Sequence, residues 1–171
     1  MIKIYLDLVS KKKSQIVLFI LFNLCGLFFI LSPYGIFWNM IDLYFSYSPA
    51  DVFKSFYQMG ENGRYFYLYT TLILDTIYPI LYTSLVLGAY TNLFKNQSYI
   101  LLIPILAFTL DILENINITY MNLNYLILNE TQVMVASNIT SLKWIIISIM
   151  IFLLAYGLFK KKLMLKMAYA S

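Results

Sequence analysis

Three carboxylic acids lie within two segments that are otherwise apolar enough to be buried in a membrane. Asp75 lies within TTLILDTIYPILYT, and Asp111 and Glu114 lie within PILAFTLDILENI. A charged Asp at mid-membrane costs a few kcal/mol, so these side chains must contribute something in return. Carboxyls that crowd together in a low dielectric share protons, which lets them donate hydrogen bonds or carry protons. The pattern indicates a functional cluster, although polar groups inside a bundle can also simply lock helices together.

Helical spacing places the polar residues of each segment on one face. In the first segment Thr71, Asp75, Tyr78 and Tyr82 follow one another at i, i+4, i+7 and i+11. The second segment carries a matching stripe of Asp111, Glu114, Asn115 and Asn122. Two such stripes on neighbouring helices predict a shared polar interior, in which deep tyrosines bond to the carboxyls. The predicted ligand-binding residues are Arg64, Thr71, Asp75, Tyr78, Tyr82, Asp111, Glu114 and Asn115.

Residue counting places the acids at matched depths. Asp75 follows Arg64 by 11 residues, and Asp111 precedes Asn122 by 11 residues, in each case about 16 Å along a helix. If the two helices are antiparallel neighbours, both distances are measured from the same face of the membrane. We therefore expect Asp75 and Asp111 to lie at the same depth, to meet and to share a proton. Glu114 comes one turn nearer that face, where we expect Arg64 to pair with it or with an anionic ligand group.

The composition identifies the class of protein that positions these side chains. The chain has 61% hydrophobic and 12% charged residues and a mean hydropathy of +0.76, which is typical of an integral membrane protein. A membrane-spanning helix needs about 20 apolar residues. We predict an all-α bundle of four transmembrane helices that forms a single domain over residues 1–171. The predicted spans lie near 15–38, 65–94, 99–121 and 139–159.

The basic residues predict the orientation. An even number of spans places both termini on one face of the membrane, and nine of the twelve basic residues lie on that face: Lys3, Lys11, Lys12, Lys13, Lys95, Lys160, Lys161, Lys162 and Lys166. Lys54, Arg64 and Lys143 remain for the opposite side. By the positive-inside rule, both termini are cytoplasmic. The distribution of the lysines indicates that they set the topology rather than bind nucleic acid. We predict an integral protein of the bacterial cytoplasmic (inner) membrane.

Two long connections, 39–64 and 122–143, fall on the predicted extracytoplasmic side. The first contains a Ser48-Pro49 helix start and a stop at Gly60. Its predicted apolar face comprises Val52, Phe53, Phe56 and Tyr57. We expect amphipathic helices from both connections to lie at the membrane interface. The predicted aromatic belt at this interface comprises Tyr65, Tyr67, Tyr69, Tyr120 and Trp144.

The middle of the chain resembles a group of small, uncharacterised bacterial four-helix membrane proteins. The resemblance rests on Gly-Arg-x-x-Tyr, Leu-Asp-x-x-Tyr-Pro-x-x-Tyr and Pro-x6-Asp-x-x-Glu-Asn, which occur here within residues 63–115. It implies a four-helix architecture and brings no known activity with it. The positions that it marks are Gly63, Arg64, Tyr65 or Tyr67, Asp75, Tyr78, Pro79, Tyr82, Pro104, Asp111, Glu114 and Asn115.

Three classes of function fit this sequence. The first is a binding or carrier protein whose carboxylate and tyrosine pocket takes a lipid, an amphipathic molecule or a cation. The second is an intramembrane enzyme that uses the acids for acid/base or metal-assisted chemistry on a lipid. The third is a scaffold that grips another membrane protein or a second copy of this chain. The chain has no histidine and one cysteine, so we predict no zinc site of the usual kind. No cofactor can be named from the sequence. The expected partners are membrane lipids.

Overall fold

A computed structural model of the chain describes residues 2–94 and 98–170, which form helices and no strand. The α-helices are α1 (Ile2–Val9), α2 (Lys12–Ile30), α3 (Ile36–Asn39), α4 (Pro49–Leu93), α5 (Leu102–Leu123) and α6 (Glu130–Ala170). Short 3-10 turns lie at Ile41–Leu43, Ser98–Leu101 and Tyr125–Ile127. The helices α2, α4, α5 and α6 are long and apolar enough to cross a membrane. The predicted all-α class is confirmed, and so is the presence of four helices with the length and hydropathy of membrane spans. The orientation of the bundle remains a prediction.

The first span is shorter than predicted. The helix α2 ends at Ile30 rather than at residue 38, because Ser32-Pro33 follows it. A proline disfavours helical backbone in the residue before it and lacks an N–H group. Tyr34 and Gly35 then adopt positive φ angles, which turn the chain into the short helix α3.

The helix α4 begins where Ser48 and Pro49 predict. Ser48 accepts a hydrogen bond from the backbone N–H of Asp51, whose side chain bonds back to Ser48, and Pro49 occupies the first turn. Gly60 breaks the helical geometry with φ 65° and ψ −178°, a conformation that is essentially confined to glycine. Helical geometry resumes after this kink. Residues before Gly60 thus form a separate helical segment, as predicted.

The buried face of this segment differs from the predicted one. Val52, Phe56 and Met59 point into the core, whereas Phe53 is largely exposed and Tyr57 is 71% exposed. The buried residues follow the spacing i, i+4 and i+7, so the two aromatic residues fall on the neighbouring, outer side of the helix.

The second predicted interfacial helix does not form as a separate element. Residues 125–127 make a 3-10 turn with Leu126 and Ile127 exposed, and α6 begins at Glu130. Residues 130–138 belong to α6, which continues into the last predicted span. Val133 is fully buried in the core, so this first part of α6 packs on the bundle.

The helix α4 is the centre of the bundle, since α1, α2, α3, α5 and α6 all pack against it. The helix α5 lies between α4 and α6. The two helices that carry the polar stripes are thus neighbours, as predicted. Residues 95–97, which include Lys95 and connect this part of the chain, lie outside the described residues. The N-terminal helix packs on α4 at Gly88, where an added Cβ would overlap the carbonyl of Val9 and the side chain of Gln15.

Candidate functional site

Lys143 lies at the centre of the polar interior, although the sequence placed it on the outer surface. The side chain extends from α6 between the other helices, and the residue is 5% exposed. Its ammonium forms an ion pair with Glu114, lies 3.6 Å from Oδ1 of Asp111 and donates to the backbone carbonyl of Asp42 at 3.3 Å. One buried cation therefore ties three separate segments of the chain together.

Glu114 faces α6 rather than Arg64. Lys143 bonds to Oε2 of Glu114, and Thr140 Oγ1 donates to Oε1 at 2.5 Å. The residue is 1% exposed, and both of its oxygens have donors. The predicted pairing of Arg64 with Glu114 is wrong, because Lys143 and Thr140 hold both oxygens of Glu114 while the guanidinium of Arg64 stacks on Tyr125. The alternative pairing of Arg64 with an anionic ligand group remains a prediction.

Asp111 joins α5 to both of its neighbours. The hydroxyl of Tyr82, on α4, donates to Oδ2 of Asp111, and Lys143, on α6, lies near Oδ1. The expectation that a deep tyrosine donates to a carboxyl is confirmed for Tyr82. These two groups hold the carboxyl of Asp111 in place. The sharing of a proton between Asp111 and Asp75 remains a prediction.

Tyr78 contacts α2, whereas Tyr82 contacts α5. The ring of Tyr78 stacks on Phe22 at 4.8 Å between centroids and meets Phe29 edge-on at 5.7 Å, and both partners belong to α2. This residue of the predicted ligand-binding set therefore packs the first span against α4.

Asp42 is a fourth buried acid, which the sequence did not single out. The hydroxyl of Tyr67 donates to Oδ1 of Asp42 at 2.7 Å, and Nε1 of Trp144 donates to its backbone carbonyl at 3.1 Å. Tyr67 is fully buried, so its assignment to the aromatic belt is wrong: its place on α4 turns it inward. Asp42 lies in the 3-10 turn Ile41–Leu43, which is too short for a periodic pattern in the sequence to predict the direction of a side chain.

Asp75, Asn115 and Thr71 form the less satisfied part of the interior. Pro79 has no N–H to give to the carbonyl of Asp75, four residues earlier, and Nδ2 of Asn115 donates to that carbonyl at 2.6 Å instead. Oδ1 of Asn115 and Oγ1 of Thr71 are buried and have no hydrogen-bond partner among the described residues. Within the described ranges, Asp75 is joined to α5 through its backbone carbonyl, and the ion pairs of Lys143 are made with Asp111 and Glu114 rather than with Asp75.

Arg64 lies at the end of this interface. Its guanidinium stacks 3.6 Å above the ring of Tyr125, and its backbone carbonyl accepts a hydrogen bond from Nδ2 of Asn122 at 3.0 Å. A cleft of about 120 Å³ opens here. It is lined by Glu61, Arg64, Tyr65, Leu68, Asn122, Leu123 and Tyr125.

The predicted site residues make contacts with different helices, and their joint role in binding a ligand remains a prediction. Asp111 and Glu114 contact Lys143, and Tyr82 donates to Asp111. Asn115 donates to the backbone carbonyl of Asp75, which joins α5 to α4. Tyr78 faces α2, and Arg64 lies at the cleft. Within the described ranges, no group of three or more Cys, Asp or Glu side chains is placed to hold a metal ion.

The missed residue Lys143 had one usable signal. Ser137, Thr140 and Lys143 follow one another at three-residue spacing, and all three are buried on α6. This stripe is visible only when the helix is started at Glu130, well before the predicted span.

Compared with known proteins, the chain matches no family model, no curated protein sequence and no solved structure. The resemblance to small bacterial four-helix membrane proteins remains a prediction.

Proposed function

We propose that this protein is a membrane carrier whose buried acids bind a small cation or protons. The observation that supports this function is an imbalance of buried charge. Asp42, Asp75, Asp111 and Glu114 are all buried, and Lys143 is the one buried cation among the described residues. With every group ionised, these side chains sum to four negative charges and one positive charge, a net charge of −3.

A low-dielectric interior cannot hold such an excess without compensation. Moving one ion out of water costs several kcal/mol even after relaxation, and like charges add to that cost. Neutralisation therefore requires protons on the carboxyls or a cation between them. Either species would be exchanged when the interior gains access to water, which is the elementary step of a carrier.

The enclosure of the buried acids favours a small ligand over a lipid. The cleft at Arg64, which none of these four acids lines, is also small: its volume is about 120 Å³, below the roughly 300 Å³ at which pockets for drug-sized ligands begin. The acids themselves are almost wholly covered by protein. This enclosure also argues against acid/base chemistry on a lipid, because the reacting bond would have to reach the carboxyls.

The interior divides into a structural and an exchanging part. Glu114 and Lys143 satisfy each other and hold α5 to α6, which is a scaffold role. Asp75 lacks such a partner, so we assign the exchange of protons or cations to the α4–α5 side. Asp111 contacts both parts through Tyr82 and Lys143.

Ion flux in proteoliposomes tests this function. Vesicles of reconstituted protein enclose a pH-sensitive dye, and a gradient of pH or of Li⁺, Na⁺ or K⁺ is imposed across the membrane. We expect the internal pH to change faster than in protein-free vesicles. Asp75→Asn should reduce this rate at least about tenfold, the loss typical of removing a proton-transfer group.

The matched control is Asp7→Asn, which makes the same change at an exposed position of α1 and should leave the rate unchanged. A wild-type rate equal to that of protein-free vesicles under every gradient would refute the carrier function. An equal loss in both variants would refute the role of Asp75.

A further inference from the structure

We propose that Asp75, Asn115 and Thr71 form a binding site for an alkali metal cation between α4 and α5. This inference rests on the proposed function and names its ligand. All three residues are buried, with Thr71 and Asn115 only 1% and 6% exposed. The site would be built from one carboxylate and two neutral oxygens.

The orientation of Asn115 is fixed by chemistry. A backbone carbonyl can only accept hydrogen bonds, so the amide nitrogen of Asn115 must face the carbonyl of Asp75, to which it donates at 2.6 Å. The amide oxygen is bonded to the same carbon and therefore points away from that contact while remaining beside Asp75. Oδ1 is buried there without a donor from the described residues.

Thr71 supplies the second neutral oxygen. It lies one turn before Asp75 on the face of α4 that also carries Tyr82, and the Tyr82 hydroxyl contacts α5. Side chains at this spacing have Cβ atoms about 5–6 Å apart. Its Oγ1 has no partner in the described chain, while the neighbouring Thr70 bonds its own helix at the carbonyl of Phe66.

Unpartnered buried oxygens of this kind need an explanation, because each one costs about 1–3 kcal/mol. Hard cations bind to carboxylate, amide and hydroxyl oxygens, which are the three groups present. One negative charge matches a monovalent ion, whereas a divalent ion would leave a positive charge in the interior. The absence of a three-acid group in the described residues agrees with this choice.

A polar route connects the site with the cleft at Arg64. Thr119 lies one turn beyond Asn115 on α5, and its Oγ1 is also buried without a partner among the described residues. One further turn along, Asn122 bonds the carbonyl of Arg64 at the cleft. A cation that enters at the cleft would therefore meet oxygen atoms at each turn of α5.

Thermal unfolding of the purified full chain in detergent tests this site. Melting temperatures are measured in choline chloride and in increasing LiCl, NaCl or KCl at constant ionic strength. A ligand that binds only the folded state raises the melting temperature with its concentration. We expect at least one alkali salt to produce a saturable rise in the wild-type protein and little rise in Asp75→Asn.

Thr71→Val is the diagnostic variant, because valine keeps the shape and removes the hydroxyl. A hydroxyl without a partner is costly to bury, so this variant should melt at or above the wild-type temperature in choline chloride. In the alkali salt its apparent Kd should rise at least about tenfold. The matched control is Thr70→Val, which removes a hydroxyl satisfied within its own helix and should retain the wild-type apparent Kd.

The outcomes separate this site from the proposed function. Equal cation responses in Thr71→Val and Thr70→Val would overturn the site while leaving cation binding by the carrier in place. No response of the wild-type protein to any alkali cation, together with proton flux in proteoliposomes, would overturn the site and leave a proton carrier. The loss of both signals would overturn both proposals.

Discussion

Replacing Lys143 by methionine isolates the contribution of the buried ammonium group. Methionine is unbranched and flexible, so it fills much of the space of the lysine stem without the charge. The variant loses the ion pair with Glu114, the approach to Asp111 at 3.6 Å and the hydrogen bond to the carbonyl of Asp42 at 3.3 Å. Two buried carboxyls then lose their nearest cation.

The expected destabilisation follows from these contacts. Removing one partner of a buried ion pair costs about 3–5 kcal/mol, because the remaining charge is left without compensation. In a chain of this size about 1 kcal/mol shifts Tm by roughly 2–4 °C, so Lys143→Met should lower Tm by about 6–20 °C. Adding Glu114→Gln to Lys143→Met replaces the unpaired carboxylate by a neutral amide. The double variant should therefore be more stable than Lys143→Met alone.

Thermal unfolding in detergent, followed by tryptophan fluorescence, measures these changes. Lowering the pH should recover part of the loss in Lys143→Met, because protons can neutralise the carboxyls that the lysine no longer balances. The matched control is Lys54→Met at an exposed position of α4, which should shift the free energy of unfolding by less than about 0.5 kcal/mol. Equal melting temperatures for the variants at positions 143 and 54, or strictly additive losses in the double variant, would refute this account of the buried ammonium.

Three further predictions concern separate parts of the molecule. Tyr67→Phe removes the donor to Asp42, and denaturant titration should show a loss of about 1–3 kcal/mol; no loss would mean that this oxygen finds another donor. Gly88→Ala places a methyl group where the N-terminal helix packs on α4, and the same titration should show a loss of about 1–3 kcal/mol unless that helix docks elsewhere. Lys162→Cys in a Cys25→Ser background should react with a membrane-impermeant thiol reagent only after cells are opened, and labelling of intact cells would reverse the predicted topology.

Local signals in the sequence predicted the elements of the fold well. Four apolar stretches of sufficient length gave the four spans, since length and hydropathy alone decide whether a helix can cross a bilayer. Ser48, Pro49 and Gly60 marked the start and the break of the outer segment of α4, because capping and left-handed backbone depend on the residues themselves. The bounds of α6 were wrong because no comparable cap separates residues 130–138 from the span.

The partners inside the bundle were harder to predict. The α4 and α5 stripes predicted the contact of Tyr82 with Asp111, because both lie on helix faces that periodicity defines. Lys143 was missed because a lysine four residues inside a predicted span beginning at 139 resembles an interfacial residue. In the structure it lies 13 residues into α6, and its long side chain reaches Glu114. Such a pairing depends on the rotation of α6 about its axis, which its weak amphipathic pattern does not determine.

The helix α4 completes its backbone hydrogen bonding only when α5 is beside it. Pro79 leaves the carbonyl of Asp75 without a donor in its own helix, and Asn115 of α5 provides one. A bare carbonyl in lipid costs several kcal/mol, so α4 would be strained as a lone helix during membrane insertion. We therefore expect α4 and α5 to leave the insertion machinery together as a hairpin. The helix α6 carries Lys143, whose partners all belong to earlier segments of the chain, so we expect this lysine to join a preassembled hairpin.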